Sequence, residues 1–255
     1  MSDSLTKLLR THTCLFASFE TGIDAEVSRG PGEPIMNPDV VRHDPSAGRH
    51  GGALVFAARD HGWAEDELTF AACDNFPYSA DGFEGSIALW AKGDPDRDLH
   101  PQFPVDLFHI SRHAADASFY LDLTKPNDWR YGSPRKLRFG FYNDSPARDM
   151  FQGGQLLVVG DLHWNDDRWH HVVATWKHAN SGADDGYSSL SIDGVLRCWM
   201  EGYRHQLTWD IDNLLIGLGQ RYVGCLCDFL VLDKCLPVEM VTELFQHGES
   251  LRGLY

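Results

Sequence analysis

Tryptophan and tyrosine side chains stand among amides and carboxylates in two polar stretches of the chain, a mixture suited to binding sugars. An aromatic ring stacks on the apolar face of a pyranose, while Asn and Asp side chains hydrogen-bond its hydroxyls. The candidates are Asn127, Asp128, Trp129, Tyr131 and Trp164. Large apolar groups in polar loops often mark binding sites. We predict a ligand-binding role for these five residues, against the alternative that their rings close the edges of a core.

Charge and hydropathy exclude two classes of partner. The net charge of -15 at pH 7 disfavours nucleic acid, because phosphate binding needs a basic stripe. The run Arg135-Lys136-Leu137-Arg138 alternates like one solvated strand face. No apolar stretch approaches the ~20 residues of a membrane span. We therefore expect a carbohydrate or protein ligand, no nucleic acid and no membrane insertion, and the acidic balance mildly disfavours polyanionic polysaccharides.

The six cysteines are too sparse for a disulfide framework at a length of 255 residues. We expect buried free thiols, and a pairing of Cys198 with Cys225 or Cys235 stays open. The first residues contain no basic region followed by a long apolar core, so no signal peptide is predicted in this chain. Residues 1–12 are expected to form a loosely ordered segment.

The candidate residues must be positioned by β-strands, because apolar residues alternate with period two almost throughout. The stretch 168–195 illustrates this: Val172, Ala174 and Trp176 fall on one face, and Asp193-Gly194 supplies a tight hairpin turn. Roughly twelve such strands precede one helical stretch, Pro237–His247. The sequence therefore predicts an all-β fold of two packed antiparallel sheets, a jelly-roll sandwich with a short C-terminal helix. We expect one domain over residues 1–255, since no repeat or composition shift divides it.

Several stretches, in order along the chain, resemble the laminin-G-like, concanavalin-A-like jelly-roll family. Residues 85–92, GSIALWAK, resemble the family's Trp-containing strand, and residues 168–176, RWHHVVATW, are very similar to its Trp-His-His-Val strand. Residues 216–217, 224–236 and 239–245 follow its closing pattern of two strands and a short helix. The chain looks most like planctomycete-type members of unknown function, which are often labelled glucanases on fold alone. Members of this fold bind carbohydrate, bind proteins, cleave polysaccharides or space other domains.

The resemblance implies a structural Ca²⁺ near the first and closing strands. The matching positions are Glu20 and Asp228, whose oxygens suit Ca²⁺. Cys227 departs from the family pattern, and a thiol is a poor Ca²⁺ ligand. From strand alternation we expect Cys227 to face the core together with Phe229 and Val231. The alternative is that Glu20 and Asp228 are ordinary surface or hydrogen-bonded acids.

Catalysis has less support than binding. Retaining glucanases of this fold carry a Glu-x-Asp-x-x-Glu strand, which is absent, and Glu65-Asp66-Glu67 is predicted to lie in a solvated turn. Residues 138–143 faintly resemble the closing strand of alginate-lyase-like jelly rolls, in which Tyr142 would serve proton transfer and His109 would neutralise the substrate or act as a base. The alternative is that Tyr142 is an ordinary strand aromatic. The adjacent His170 and His171 point to opposite faces and favour a structural role over zinc. We expect a non-catalytic, carbohydrate-binding recognition module. The alternatives are a polysaccharide-active hydrolase or lyase and a structural or protein-interaction domain.

Overall fold

A computed structural model describes residues 1–57, 68–99, 102–110, 119–141, 156–164 and 168–255. The predictions for Glu65, Asp66, Glu67 and Tyr142 lie outside these described residues. So does the polar sequence that follows Trp164, at positions 165–167.

The described residues form sixteen strands and three α-helices. The first eight strands are β1 (Thr13–Ala17), β2 (Val27–Ser28), β3 (Ile35–Met36), β4 (Val41–Asp44), β5 (Ala53–Phe56), β6 (Leu68–Ala71), β7 (Phe83–Lys92) and β8 (Val105–Ile110). The others are β9 (Phe119–Leu123), β10 (Leu137–Phe141), β11 (Leu156–Val159), β12 (His170–Ala179), β13 (Gly186–Ile192), β14 (Val195–Tyr203), β15 (Leu215–Leu218) and β16 (Gly224–Leu232). The helices are α1 (Asp3–His12), α2 (Pro95–Asp98) and α3 (Val238–Gln246), and two 3₁₀ turns cover Ile211–Asn213 and Leu251–Leu254.

The strands build two antiparallel sheets that pack as a sandwich. Within the described residues, the nine-stranded sheet has the order β14-β13-β12-β7-β16-β1-β2, with β5 and then β4 added beside β16. The seven-stranded sheet has the order β11-β10-β9-β8-β15-β6-β3. This architecture confirms the predicted two-sheet jelly-roll sandwich with a short C-terminal helix.

The core lies between the sheets and is rich in aromatic rings. Alternation along β12 turns Trp176 inward, where it is fully buried. Its ring stacks on Phe76, with centroids 5.5 Å apart, and meets Phe119 edge-on at 4.7 Å. Such pairs stabilise beyond their buried area by about 1 kcal/mol. The predicted hairpin turn is confirmed, since β13 and β14 pair across Asp193-Gly194 with Ile192 opposite Val195. On its other side β13 pairs with β12, from Val172 opposite Ile192 to Lys177 opposite Tyr187.

Helices cover the outer face of the nine-stranded sheet, and one of them corrects the sequence analysis. Residues expected to be loosely ordered form α1, because Ser2 caps its first turn and its apolar residues recur at helical spacing. Leu5 and Leu9 are fully buried in a cluster shared with α3. The two chain ends also meet: Arg10 Nε donates to the Leu254 carbonyl at 2.9 Å, and the hydroxyls of Thr13 and Tyr255 lie 2.6 Å apart.

A β-bulge in β16 corrects the predicted orientation of Cys227. Cys227 pairs with Trp90 in β7, but the next paired residue, Leu230, lies opposite Ala88. One extra residue is therefore inserted in β16 at Asp228, whose φ is 51°. The insertion reverses which side chains face the core in the rest of the strand. Phe229 therefore faces the core as expected, while Cys227 lies on the outer face beside Trp90.

Candidate functional site

The loop that joins β9 to β10 presents the most exposed tryptophan of the described residues. Trp129 is 77% exposed at the tip of this loop. The Arg130 guanidinium lies over the Trp129 ring, 4.8 Å from its centroid, and 5.8 Å from the centroid of Tyr131. Because aromatic rings normally lose water on folding, a ring held this far into solvent is available to stack on a ligand.

Backbone and side-chain hydrogen bonds hold the loop in one shape. The Asn127 backbone N–H donates to Ser133 Oγ at 2.9 Å, and this hydroxyl donates to Asn127 Oδ1 at 3.0 Å. Asp128 accepts the Arg130 N–H through Oδ1 at 2.9 Å and the Gly132 N–H through its carbonyl at 2.7 Å. Asn127 and Asp128, predicted as ligand-binding residues, thus make their described contacts within the loop. Both shape the turn that carries Trp129.

A buried arginine fixes the base of the loop. Arg135 is 1% exposed, and its guanidinium donates to the carbonyls of Thr124, Leu99 and Phe103 at 2.7, 3.2 and 3.3 Å. Burial lowers the pKa of Arg135 to about 10, and the nearby Asp96 carboxylate opposes this shift. The arginine therefore ties the Trp129 loop to the segment between β7 and β8.

Aromatic rings and guanidinium groups alternate from the loop tip down to the face of the seven-stranded sheet. Arg138 on β10 lies 5.6 Å from the Tyr131 ring centroid and 5.8 Å from that of Tyr120 on β9. Its Nε donates to Asp122 Oδ1 at 2.8 Å, and Nη2 contacts the other carboxylate oxygen. This bidentate pair holds Arg138 in place between the two tyrosines. Tyr131 is half-buried and joins the exposed tip to the sheet.

A row of polar side chains continues across the outer face of the seven-stranded sheet. Asp106 on β8 lies opposite Asp122, and its Oδ2 is 3.4 Å from His109 Nδ1. Burial raises the pKa of Asp106 to about 7; His109 and Arg138 oppose this shift, and Asp122 adds to it. Burial also raises the pKa of Asp122, against the opposing effect of Arg138. Two carboxyl groups with raised pKa values on one face are a common signature of functional sites.

Glycines on neighbouring strands make room for this row. A Cβ at Gly217 would lie 2.4 Å from the His109 ring, and a Cβ at Gly140 would lie 2.3 Å from the Tyr120 ring. Both rings therefore lie flat over a glycine. Of this row, only His109 was a candidate from the sequence; Asp106, Asp122 and Tyr120 were not. Their signal was the period-two placement of polar residues on the outward face of adjacent strands.

Trp164 is placed differently from its predicted role. It is 8% exposed and belongs to the core, and its indole stacks on His170 with centroids 5.0 Å apart. His170 in turn lies 2.9 Å from Asp193 Oδ2 in the hairpin turn. His170 covers one face of the ring and little of the residue is exposed, so this arrangement does not favour the predicted ligand-binding role of Trp164. This ring closes the edge of the sandwich instead.

The residues at the expected calcium position do not fit a metal. Asp228 is 6% exposed, and its Oδ2 lies 3.7 Å from Arg49 Nη1 and 3.4 Å from Cys227 Sγ. The carboxylate of Glu20 accepts the Ser250 hydroxyl. A guanidinium already lies beside the acid that would bind Ca²⁺, and a thiol contacts the same oxygen. Among the described residues, no three His, Cys, Asp or Glu side chains come together as a metal-binding group.

Other side chains named in the sequence analysis have structural surroundings. His171 is buried between Trp90, at 4.7 Å, and Phe245, at 6.2 Å, and burial lowers its pKa to about 3. All six cysteines are free thiols, of which Cys14 and Cys227 are fully buried. No helix in the described part of the chain is long and apolar enough to cross a membrane.

Comparison with known proteins supports the fold. No protein-family model matches the chain, and no curated protein shows significant similarity to it. Among solved structures, the chain is similar to domain 4 of AbnA, an extracellular arabinanase of family GH43 from Geobacillus stearothermophilus, in complex with arabinotriose. The TM-score is 0.54 and the identity 17%, over 92% of this chain and 98% of that domain.

A second group of similar structures consists of toxin binding domains. The ligand-binding domain of botulinum neurotoxin serotype D, in complex with N-acetylneuraminic acid, matches with a TM-score of 0.59 and 11% identity over 95% of this chain. The binding domain of Paraclostridial Mosquitocidal Protein 1 matches with a TM-score of 0.55 and 13% identity over 93%. The chain spans about half of each toxin domain, 52% in both cases. At these identities the likeness establishes the β-sandwich fold alone.

Proposed function

We propose that this chain is a non-catalytic carbohydrate-binding module that uses Trp129 as its stacking platform. The observation that carries the proposal is a tryptophan 77% exposed on a loop whose shape is set by hydrogen bonds. A ring that is already ordered loses little conformational entropy when a sugar stacks on it. Two structures of the same fold, the arabinanase domain and the serotype D toxin domain, are complexes with sugars.

Tyr131 and Arg130 complete the proposed surface. Arg130 lies over one face of the Trp129 ring and near Tyr131, so the sugar would stack on the other face and meet the guanidinium at the edge of the ring. Arginine stacked on an aromatic ring keeps its donors in the plane of the guanidinium, where they can meet hydroxyl or acid oxygens. The two aromatic rings supply contact area, and the arginine supplies orientation.

Replacement of Trp129 tests the proposal. Trp129→Ala and the matched control Trp199→Ala, which removes another exposed tryptophan (60%) on β14, are compared in affinity electrophoresis against soluble neutral and acidic polysaccharides. Loss of a stacked ring should weaken binding roughly 10- to 100-fold. Trp199→Ala should bind as the unmodified chain does. The proposal would be contradicted if the unmodified chain and both variants were retarded equally. It would also be contradicted if no polysaccharide retarded the unmodified chain.

A second candidate function is cleavage of polysaccharide, favoured by the row of acids on the seven-stranded sheet. Asp106 and Asp122 lie opposite each other on adjacent strands, and Asp106 contacts His109. A carboxyl whose pKa is near 7 is suited to general-acid catalysis. The test is release of reducing ends or of unsaturated sugars from the same polysaccharides. Activity that Asp106→Asn abolishes would favour an enzyme, and absence of turnover in the unmodified chain would exclude it for those substrates.

A further inference from the structure

The loop that presents Trp129 is locally cationic within an acidic protein. The 14 residues 125–138 contain five of the chain's 22 basic residues and a single acidic residue, Asp128. The chain as a whole has a net charge of -15. At physiological ionic strength, exposed charges interact over about 8 Å. A ligand at Trp129 therefore experiences mainly the charges near the loop, which include Asp96 on α2 and Asp122 on β9 as well as the loop's own residues.

Nearby acids compensate Arg138 and Arg135. Arg138 is paired with Asp122, and the buried Arg135 lies near Asp96, which also accepts the Arg135 backbone N–H at 3.0 Å. These arginines build the site and add little net charge to its surface.

Lys125 and Lys136 are not compensated in this way. In the part of the chain that the structure describes, neither amine has a carboxylate within 4.0 Å. They lie at the two stems of the loop, since Thr124 pairs with Lys136 through its backbone N–H at 2.9 Å. Both side chains are partly exposed. Two ammonium groups thus flank the loop at its base.

Arg130 places a guanidinium beside the stacking ring. Its guanidinium lies 4.8 Å from the Trp129 centroid and 5.8 Å from the Tyr131 centroid. A guanidinium stacked in this way matches a carboxylate or sulfate through two parallel N–H donors. The Asp128 carboxylate accepts the Arg130 backbone N–H, so the one acid of the loop is engaged with the backbone.

We propose that the Trp129 loop selects a pyranose that carries an anionic oxyacid group, either a carboxylate or a sulfate ester. The ring stacks on Trp129, Arg130 binds the anionic group, and Lys125 and Lys136 attract it. This inference rests on the proposed carbohydrate-binding function and adds the class of its ligand. It reverses the expectation from whole-chain charge, which disfavours polyanions.

Titration calorimetry tests the inference with four pyranose-containing probes: polygalacturonate and hyaluronan carry carboxylates, dextran sulfate carries sulfate esters, and dextran is neutral. The variants are Lys125→Gln/Lys136→Gln, Arg130→Gln and Trp129→Ala. The control is Lys7→Gln/Lys177→Gln, which makes the same charge change at two lysines that also lack an acidic partner among the described residues. Replacing the two loop lysines should weaken the affinity for acidic probes about 3- to 20-fold and leave the affinity for the neutral probe unchanged.

Each outcome separates the ligand class from the proposed function. Tight binding of one acidic probe that needs Trp129, Arg130 and the loop lysines, but not Lys7 and Lys177, would support the inference. The two acidic arms then distinguish carboxylate from sulfate. Binding of dextran that needs Trp129, with no tighter binding of the acidic probes, would overturn the inference and keep the carbohydrate-binding function. A third outcome would overturn both the inference and the carbohydrate-binding function. In it, the affinity for acidic probes falls equally in the loop-lysine and control-lysine variants and is unchanged in Trp129→Ala.

Discussion

Replacing the buried Arg135 by methionine should destabilise the protein and disorder the Trp129 loop together. Methionine keeps the length of the side chain but removes three hydrogen bonds to the carbonyls of Thr124, Leu99 and Phe103. Hydrogen bonds from a charged donor contribute about 1.5 kcal/mol each or more, which gives a loss of about 5 kcal/mol. Burying the charge is itself costly, as the lowered pKa of about 10 indicates. Methionine should recover about 2 kcal/mol of that cost.

The net expectation for Arg135→Met is a decrease of about 3 kcal/mol in the free energy of unfolding, measured by urea denaturation at pH 7. Arg197→Met is the matched control, because Arg197 also donates to carbonyls, those of Gly160 and Asp161, but is exposed. It should lose less than about 1 kcal/mol. Glycan affinity should fall in Arg135→Met alone. A loss below about 1 kcal/mol in Arg135→Met, or an equal loss in both variants, would refute this account of the anchor.

Three further predictions concern pH, metal and packing. Because burial raises the pKa of Asp106 from 3.8 to about 7, the folded protein holds an extra proton between these values. The free energy of unfolding should fall by up to about 3 kcal/mol from this group as pH rises from 4 to 7; urea denaturation of Asp106→Asn should show a flatter profile. EDTA or added Ca²⁺ should move the thermal midpoint by less than about 1 °C, since Arg49 accompanies Asp228; a larger fall reversed by Ca²⁺ would contradict this. Gly217→Ala, whose Cβ would lie 2.4 Å from the His109 ring, should cost about 2 kcal/mol, whereas Gly248→Ala, with nothing within 4 Å, should cost little.

The fold could be predicted from the alternation of apolar and polar residues along the strands, because most strands bury one face completely. The hairpin of β13 and β14 was predictable because Asp193-Gly194 fits a tight turn, and β12 was predictable because Val172, Ala174 and Trp176 share the core face. The bulge at Asp228 was not, because it depends on how β16 pairs with two neighbouring strands. Pairing of this kind is a long-range property that a single strand does not encode.

The two tryptophans of the predicted site show why functional residues are harder to predict from sequence than the fold is. Trp129 and Trp164 both lie in polar stretches, so local composition treats them alike. One is 77% exposed and the other 8%. The difference arises because Trp164 can stack on His170 at the sandwich edge, while Trp129 lies at a loop tip beyond the sheet. Which rings are covered depends on distant parts of the chain.

The contact between the first helix and the last turn places residues 10–13 beside residues 254–255. Arg10 touches Leu254, and Thr13 touches Tyr255, on the side of the molecule formed by the nine-stranded sheet and its helices. A short linker could join the two ends, and new ends could be opened at an exposed turn such as that of Gly182. Equally, a surface tether at either end would leave from the helical layer. The Trp129 loop, which belongs to the other sheet, would then stay open to large polymers in solution.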